Sequence, residues 1–274
     1  TVKGKNGKKQ LNGDALILAT GGRSYPSTGS QGDSYRFARD LHMDVTDLCP
    51  SLVPFVCREE YIRMMQGLSL KNVRLKITER KKTIFEEFGE LLFTHFGVSG
   101  PLVLSASAKI GPKVGKAELK TEIDLKPAVT DEELSKRFEK TFRENPKKYL
   151  KNILSEFYPQ KMVPVIPQLA GIDPERTNAS ISGAEREALV RVTKHFPLTI
   201  TALRGYNEAI VTKGGISVKE VSPKTMESKK HPGIYVAGEM LDLDAYTGGY
   251  NLQIAWSTAF AASEAIAAKY TEIS

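Results

Sequence analysis

Three short glycine-bearing stretches are the parts of this sequence best suited to chemistry. They read "ATGG" at residues 19–22, "TKGG" at residues 212–215 and "TGGYNLQ" at residues 247–253. A glycine has no Cβ, so a ligand can approach its backbone closely. For each stretch taken alone, a tight turn with close packing is the favoured explanation. The three together favour a binding site for a cofactor.

The stretch 247–253 carries the clearest physical prediction. From Tyr250 onward, small and apolar side chains recur at helical spacing, so Gly248 and Gly249 stand at the start of a helix. The first N–H groups of a helix have no internal partners and carry the positive end of its dipole. A phosphate, a carboxylate or the electron-rich edge of a ring would be stabilised there.

The sequence around these glycines predicts strands and a helix of an α/β domain. The apolar runs "ALILA" (residues 15–19) and "GIYVA" (residues 233–237) predict buried strands that end at glycine. Ligands of open α/β sheets bind at the carboxyl ends of strands. Asn6 and Gly7 predict the turn of a hairpin, and "DSYRFARDL" (residues 33–41) predicts a helix with Tyr35 on its apolar face.

A different pattern separates the two α/β segments. Residues 51–125 alternate in short strands, which predicts a small barrel or sandwich. Residues 126–199 are helical in pattern, with capping boxes at Thr130 and Ser182 and an N-cap expected at Asn145, before a proline. We therefore expect residues 1–50 and 200–274 to form one domain, interrupted by a barrel-like part and a helical part.

Composition narrows the functional classes. The net charge is +7 and the isoelectric point about 9.2, with the densest basic cluster at residues 3–9. Because charges of both signs mostly alternate and no basic-aromatic stripe occurs, we expect no nucleic-acid partner. No apolar run is long enough for a membrane span, and two cysteines without Cys-x-x-Cys spacing fit a cytoplasmic protein. The four histidines lie far apart, so no metal site is expected.

Three longer segments of the sequence resemble those of a known protein family. The segments "DALILATGGRSYPSTGSQGDSYRFARDL", "GELLFTHFGVSGPLVL" and "GIYVAGEMLDLDAYTGGYNLQIAWSTAFAAS" resemble the BaiN/aminoacetone-oxidase-like group of NAD(P)/FAD-dependent oxidoreductases. The resemblance spans essentially the whole chain, and its last motif is the specific one. It implies an α/β fold, with a discontinuous Rossmann-like FAD domain that carries an inserted β-barrel and a helical module.

The resemblance also implies site residues. FAD would lie against the three glycine stretches and the turn after residue 237, with the flavin ring at the start of the last helix. The implied cofactor-binding residues are Ala19, Thr20, Gly21, Gly22, Thr212, Gly214, Gly215, Gly238, Glu239, Asp242, Thr247, Gly248, Gly249, Tyr250, Asn251, Leu252 and Gln253. Weak catalytic candidates are His95 and Tyr246, and residues 97–101 would form a rigid turn.

One departure from the family pattern bears on function. Such flavoproteins begin with a strand, Gly-x-Gly-x-x-Gly and a helix, and this sequence contains none of these. We expect a truncated FAD domain with weakened FAD affinity. The expected activity is hydride transfer between a small organic substrate and flavin N5, with NAD(P)H or oxygen as redox partner. The alternative is a non-catalytic fragment or partner-binding module, and the oligomeric state stays open.

Overall fold

A computed structural model describes residues 2–4 and 7–271 of the chain, with side chains from residue 7 to residue 269. The chain divides into two compact units. One combines Thr1–Ser51 with Gly205–Ser274, and the other is Leu52–Arg204. They are called the outer unit and the inserted unit below. The fold is a mixed α/β fold, as the resemblance implied.

The described part of the chain contains both β-strands and α-helices, interleaved along the sequence. The strands are β1 (Val2–Gly4), β2 (Gly7–Lys9), β3 (Leu16–Leu18), β4 (Cys49–Ser51), β5 (Phe55–Cys57), β6 (Ser69–Glu79), β7 (Lys82–Phe93), β8 (Gly97–Ser99), β9 (Leu119–Asp124), β10 (Phe196–Leu198), β11 (Ile200–Leu203), β12 (Val211–Lys213) and β13 (Ile234–Val236). The helices are α1 (Asp33–Asp40), α2 (Tyr61–Met64), α3 (Pro101–Ile110), α4 (Asp131–Glu144), α5 (Leu150–Leu154), α6 (Val165–Ala170), α7 (Gly183–Lys194) and α8 (Tyr250–Thr271).

The inserted unit is built on a curled, seven-stranded sheet. Its strand order is β10-β9-β6-β7-β8-β5-β11, with antiparallel pairing throughout. The two edge strands, β10 and β11, are separated by Thr199 alone, so the sheet must curl to bring its edges to one place. No ladder joins these two strands within the described residues, so the barrel expected from the sequence is a roll that does not close.

Helices and sheet of the inserted unit share one apolar core, which includes Phe93 of β7, Phe138 of α4 and Leu189 of α7. Both predicted capping boxes are confirmed: Thr130 and Ser182 each accept from the N–H of a glutamate three residues on. The N-cap predicted at Asn145 is wrong. Asn145 ends α4, and its side-chain amide donates to Thr141 O (3.0 Å), while the next helix begins only at Leu150.

Cys57, at the end of β5, offers a test of the packing in the inserted unit. Burial, and then the neighbouring Glu59 carboxylate, raise the pKa of its thiol to about 12. Only the thiolate reacts with iodoacetamide, so a raised pKa lowers the rate. In a Cys49→Ser variant, we expect alkylation of Cys57 at pH ~8.5 to be at least ~100-fold slower than that of free cysteine.

The rate for Cys57 should still rise about tenfold per pH unit between pH ~8 and ~10, where free cysteine levels off. A rate that levels off near pH ~9 would contradict the buried thiol. Unfolding in urea supplies the control, because it should restore the rate of a free thiol.

The outer unit contains three small pairings. β1 pairs with β2 and β4 with β12, both antiparallel, while β3 pairs with β13 in parallel. The expected hairpin is thus present in β1 and β2, and its turn residue Asn6 lies outside the described residues. The apolar core of the outer unit includes Ala38 of α1, Tyr235 of β13 and Met240.

The prediction that residues 15–19 form a fully buried strand is wrong. Leu16 is 51 % exposed and Ile17 44 % exposed, and only Leu18 is buried. The physical reason is that β3 has a single neighbouring strand, β13, among the described residues. One face of α8 is also apolar and exposed, at Leu252, Trp256 and Phe260. No helix in the described part of the chain is long and apolar enough to cross a membrane.

Candidate functional site

Three of the predicted residues meet in a buried cluster of the outer unit. Thr212, in β12, is fully buried, and its N–H donates to Glu239 Oε1 (2.7 Å). Its Oγ1 accepts from the Arg23 N–H (2.7 Å), directly after Gly22. A Cβ on Gly22 would lie 2.6 Å from both Thr212 Oγ1 and Glu239 Oε1. Glycine at position 22 is therefore what allows β12 and the turn at Glu239 to close around the end of the "ATGG" stretch.

Serine hydroxyls hold the two glycine carbonyls of this turn. Ser34 Oγ donates to Gly21 O and Ser30 Oγ to Gly22 O, each at 2.9 Å. Ser24 Oγ adds a hydroxyl–hydroxyl bond of 3.0 Å to Thr212 Oγ1. The sequence reading missed these serines, although the run "GGRSYPSTGSQGDS" (residues 21–34) contains all three. They fix the backbone of the turn, so that it does not depend on a ligand for its shape.

Tyr35 packs beside this cluster. Its side chain is 1 % exposed, and its hydroxyl has no hydrogen-bond partner within the described residues. Burial first, and then the charges of Glu239 and Tyr206, raise the pKa of the Tyr35 phenol well above its usual range. The hydroxyls of Thr212 and Ser34 lie near enough to lower this pKa in part, and the phenol is protonated at neutral pH.

The glycines after Thr212 have a packing role. A Cβ on Gly214 would lie 2.2 Å from Asp47 O, and one on Gly215 would lie 2.6 Å from Met240 O. Both positions need glycine because other backbone of the outer unit occupies that space. Their predicted place beside a cofactor remains a prediction.

The loop before α8 has the form expected from the sequence. Gly248 and Gly249 are exposed, with φ of 111° and 88°, and nothing lies within 4 Å of a Cβ built on Gly249. The first intrahelical-type bond runs from the Gln253 N–H to Gly249 O (3.0 Å). The N–H groups of residues 250–252 therefore have no partner inside the helix and lie at the positive end of its dipole.

Asn251 fixes the shape of this loop. Its Oδ1 accepts from the Ala245 N–H (2.9 Å) and its Nδ2 donates to Ala245 O (2.8 Å). The two bonds close residues 245–251 into a ring of fixed size. The side-chain amide of Asn251 holds the glycine loop in place, and its expected contact with a cofactor stays a prediction.

An ion pair under this loop was missed from the sequence. Lys213 Nζ donates to Asp244 Oδ1 (2.8 Å), and Ser51 Oγ donates to Asp244 Oδ2 (2.9 Å). The Asp244 side chain is 9 % exposed. We predicted Asp242 as a cofactor-binding residue, and its N–H donates to Ile216 O. Aspartates two apart in "DLDAY" are equivalent in sequence, and only the fold shows which of them meets Lys213.

The remaining predicted residues are more exposed. Ala19, Thr20, Tyr246, Tyr250 and Leu252 all present exposed side chains, and Gln253 Nε2 donates to Ser257 Oγ (3.0 Å). Thr247 is half-buried, and the Gly238 N–H donates to Thr258 Oγ1 of α8 (2.9 Å). His95 belongs to the inserted unit, where its exposed ring contacts the edge of Phe96. Among the described residues, no three His, Cys, Asp or Glu side chains are grouped so as to hold a metal ion.

Known proteins are similar in sequence to this chain over nearly its whole length. The chain is 38 % identical over 92 % of its residues to a ribosomal RNA dihydrouridine synthase of Haemophilus influenzae, and 33 % identical over 93 % to one of Escherichia coli. It is 31 % identical over 93 % to a 3-dehydro-bile acid delta(4,6)-reductase of Clostridium scindens. These alignments cover 60 % to 62 % of the relatives' own lengths.

The inserted unit carries the family signature. Residues 49–211 match the family described as "HI0933-like protein barrel and H2TH domain". This span takes in the curled sheet and the capped helices, and it ends at Val211, the first residue of β12. The chain therefore belongs to the HI0933-like family, the BaiN/aminoacetone-oxidase-like group of flavoproteins.

Proposed function

We propose that this chain is the larger part of an FAD-dependent oxidoreductase that reduces a carbon–carbon double bond conjugated to a carbonyl group. The observation that carries the proposal is the open glycine loop at Gly248 and Gly249, fixed by Asn251, at the N-terminus of the 22-residue helix α8. Family membership supplies the cofactor class, and the loop supplies a place for its electron-rich ring.

The residues present fit a flavin. The exposed N–H groups at the start of α8 would stabilise negative charge on the pyrimidine edge of the ring. Gly249 leaves open space where any other residue would place a Cβ. The cluster of Gly22, Thr212 and Glu239 would hold the part of the cofactor remote from the ring, with its backbone already fixed by serines.

When bound, FAD supplies hydride transfer at its N5 atom. The residues of this chain have supporting roles in the proposal. Residues 250–252 offer backbone donors, Asn251 keeps the loop rigid, and the pair of Lys213 and Asp244 fixes the strand beneath it. Tyr246, which is 41 % exposed beside the loop, is the candidate to give a proton to the second carbon of the double bond. His95 stays a candidate for substrate contact.

The names of the relatives support the reaction class. Formation of dihydrouridine and reduction of delta(4,6) bonds both add hydrogen across a double bond that a carbonyl activates. A hydride and a proton together saturate such a bond, so one site chemistry would serve both substrates. The finer elements of the proposal, FAD itself and NAD(P)H as the electron donor, follow the family resemblance.

Absorption of visible light tests the proposal directly. The purified chain is incubated with excess FAD, desalted and scanned, and we expect retained bands near ~375 and ~450 nm. A protein that stays folded and colourless would contradict a flavin site in this chain. That result would favour the alternative, a non-catalytic module without FAD.

Gly249→Ala tests whether the loop is the site. The Cβ would occupy the open space beside the helix start, and we expect retained FAD to fall at least ~10-fold. Gly171→Ala is the matched control, because Gly171 also has positive φ (71°) with nothing within 4 Å, but lies in the inserted unit. Both variants place alanine at a positive φ, so an equal loss of FAD in both would place the flavin elsewhere.

A further inference from the structure

The whole net charge of this chain resides in one of its two units. The outer unit contains equal numbers of acidic and basic residues, so the +7 belongs to the inserted unit, residues 52–204. Apart from the densest basic cluster at residues 3–9, charges of both signs mostly alternate along the sequence, and for that reason we expected no nucleic-acid partner. Their division between the two units raises the question of where in the inserted unit the excess is concentrated.

The excess gathers at the tip of the β6–β7 hairpin. Arg80 and Lys81 form the two-residue loop between the strands, and Lys82 is paired with Glu79 in the ladder. Lys113, in the turn before β9, forms an ion pair with Glu79, and a further turn places Lys116 three residues on. We call Arg80, Lys81, Lys82, Lys113 and Lys116 the basic tip.

The carboxylate inside the basic tip does not neutralise it. A hydrogen bond from Lys113, together with the charges of Arg80 and Lys82, lowers the pKa of Glu79. One carboxylate therefore faces three cations. Within the described residues no carboxylate lies in ion-pair range of Arg80, Lys81, Lys82 or Lys116, and all four side chains are exposed.

Helix α4, in the same unit, shows what a solvated basic surface looks like. Three of its four cations are each paired with a carboxylate: Lys136 with Glu132, Lys140 with Glu144 and Arg143 with Glu139. In such pairs the carboxylate offsets the charge of the neighbouring cation. The basic tip instead has four cations for which the described residues provide no carboxylate in ion-pair range.

The backbone of Arg80 adds an independent observation. Its φ is 55°, in the left-handed region, where glycine or asparagine is normal in a two-residue hairpin loop and arginine is uncommon. An arginine held in a conformation that costs free energy points to a use for its side chain.

We propose that the basic tip binds the phosphate backbone of RNA. Unpaired, exposed cations at a hairpin tip suit a polyanion whose charges are regularly spaced, and phosphate contacts position a nucleic acid without reading its sequence. The relatives' names contain two substrate types, ribosomal RNA and a bile acid, and RNA binding by the basic tip would favour the first of them for this chain. Only this last step rests on the proposed function, since the binding itself needs no flavin.

Fluorescence anisotropy with fluorescein-labelled oligouridine measures the binding. The tip variant combines Arg80→Gly, Lys81→Gln and Lys82→Gln, and the control variant combines Lys136→Gln, Lys140→Gln and Arg143→Gln, which removes equal charge from α4. We expect the tip variant to bind at least ~10-fold more weakly at ~100 mM salt, with a salt slope shallower by about 2. The control should stay within about threefold of the parent chain.

The single variant Arg80→Gly separates binding from folding. Glycine relieves the positive φ, so the urea midpoint should rise while the affinity for oligouridine falls. Equal weakening in the tip and control variants would overturn the proposal, because it would reflect net charge alone. Tip-dependent binding to vesicles of phosphatidylserine and phosphatidylcholine, without binding to RNA, would overturn it in favour of a membrane surface.

Discussion

Gly97→Ala should lower the free energy of unfolding of the inserted unit by at least about 3 kcal/mol. Gly97 begins β8, and a Cβ there would lie 2.1 Å from Phe55 O and 2.8 Å from Cys57 N. Both are backbone atoms of β5, so no side chain can turn aside. The two strands would have to separate, and with them the pairing of Phe55 with Val98.

The position of β5 explains why this cost would be large. Phe55 is fully buried in the core that the sheet and the helices share, and β5 also pairs with the edge strand β11. A shift of β5 therefore disturbs the core and one end of the sheet together. Close-packed interiors absorb such shifts poorly.

Urea unfolding followed by far-UV circular dichroism measures the effect. Gly183→Ala is the matched control, because Gly183 opens α7 and the nearest atom to an added Cβ is Arg186 Nη2 at 3.9 Å. That variant should be unchanged or more stable by up to about 1 kcal/mol. If Gly97→Ala folds but loosens β5, Cys57 should alkylate faster than in the parent chain. Parental stability together with parental Cys57 reactivity would contradict the close contact.

Local patterns predicted much of this fold. Capping boxes at Thr130 and Ser182 are read from residues three apart, and the strands of the inserted unit follow from alternation. Asn145 shows the limit of such reading, since an asparagine before a proline suits both the end of one helix and the start of the next. In this structure Asn145 ends α4, and its side-chain amide donates to Thr141 O.

Long-range contacts decided what local patterns could not. The meeting of Gly22, Thr212 and Glu239 joins residues about 190 and 27 positions apart in sequence. The glycines drew attention to the site, but no periodicity selects Asp244 over Asp242 as the partner of Lys213. The exposure of Leu16 likewise depends on how many strands flank β3, which its own apolar sequence does not encode.

Gly22→Ala should destabilise the outer unit by about 2 to 4 kcal/mol and lower FAD retention with it. The added Cβ would meet Thr212 Oγ1 and Glu239 Oε1 at 2.6 Å, and Thr212 Cβ at 2.9 Å. Thr212 is fully buried and bonded to Arg23 and Ser24, so it cannot yield without breaking those bonds. Urea unfolding followed by far-UV circular dichroism measures the loss of stability, and desalting after incubation with FAD measures retention.

A double-mutant cycle with Glu239→Ala gives the sharper test of the Gly22 contact. Removing the glutamate side chain frees one of the two crowded positions, so Gly22→Ala should cost at least about 1 kcal/mol less in that background. Gly13→Ala is the control in the same unit, because the nearest atom to its added Cβ is Ala15 O at 3.7 Å, and it should shift stability by less than about 0.5 kcal/mol. Strict additivity of Gly22→Ala and Glu239→Ala would mean that the two residues do not meet, and the cluster could not then hold a cofactor as proposed.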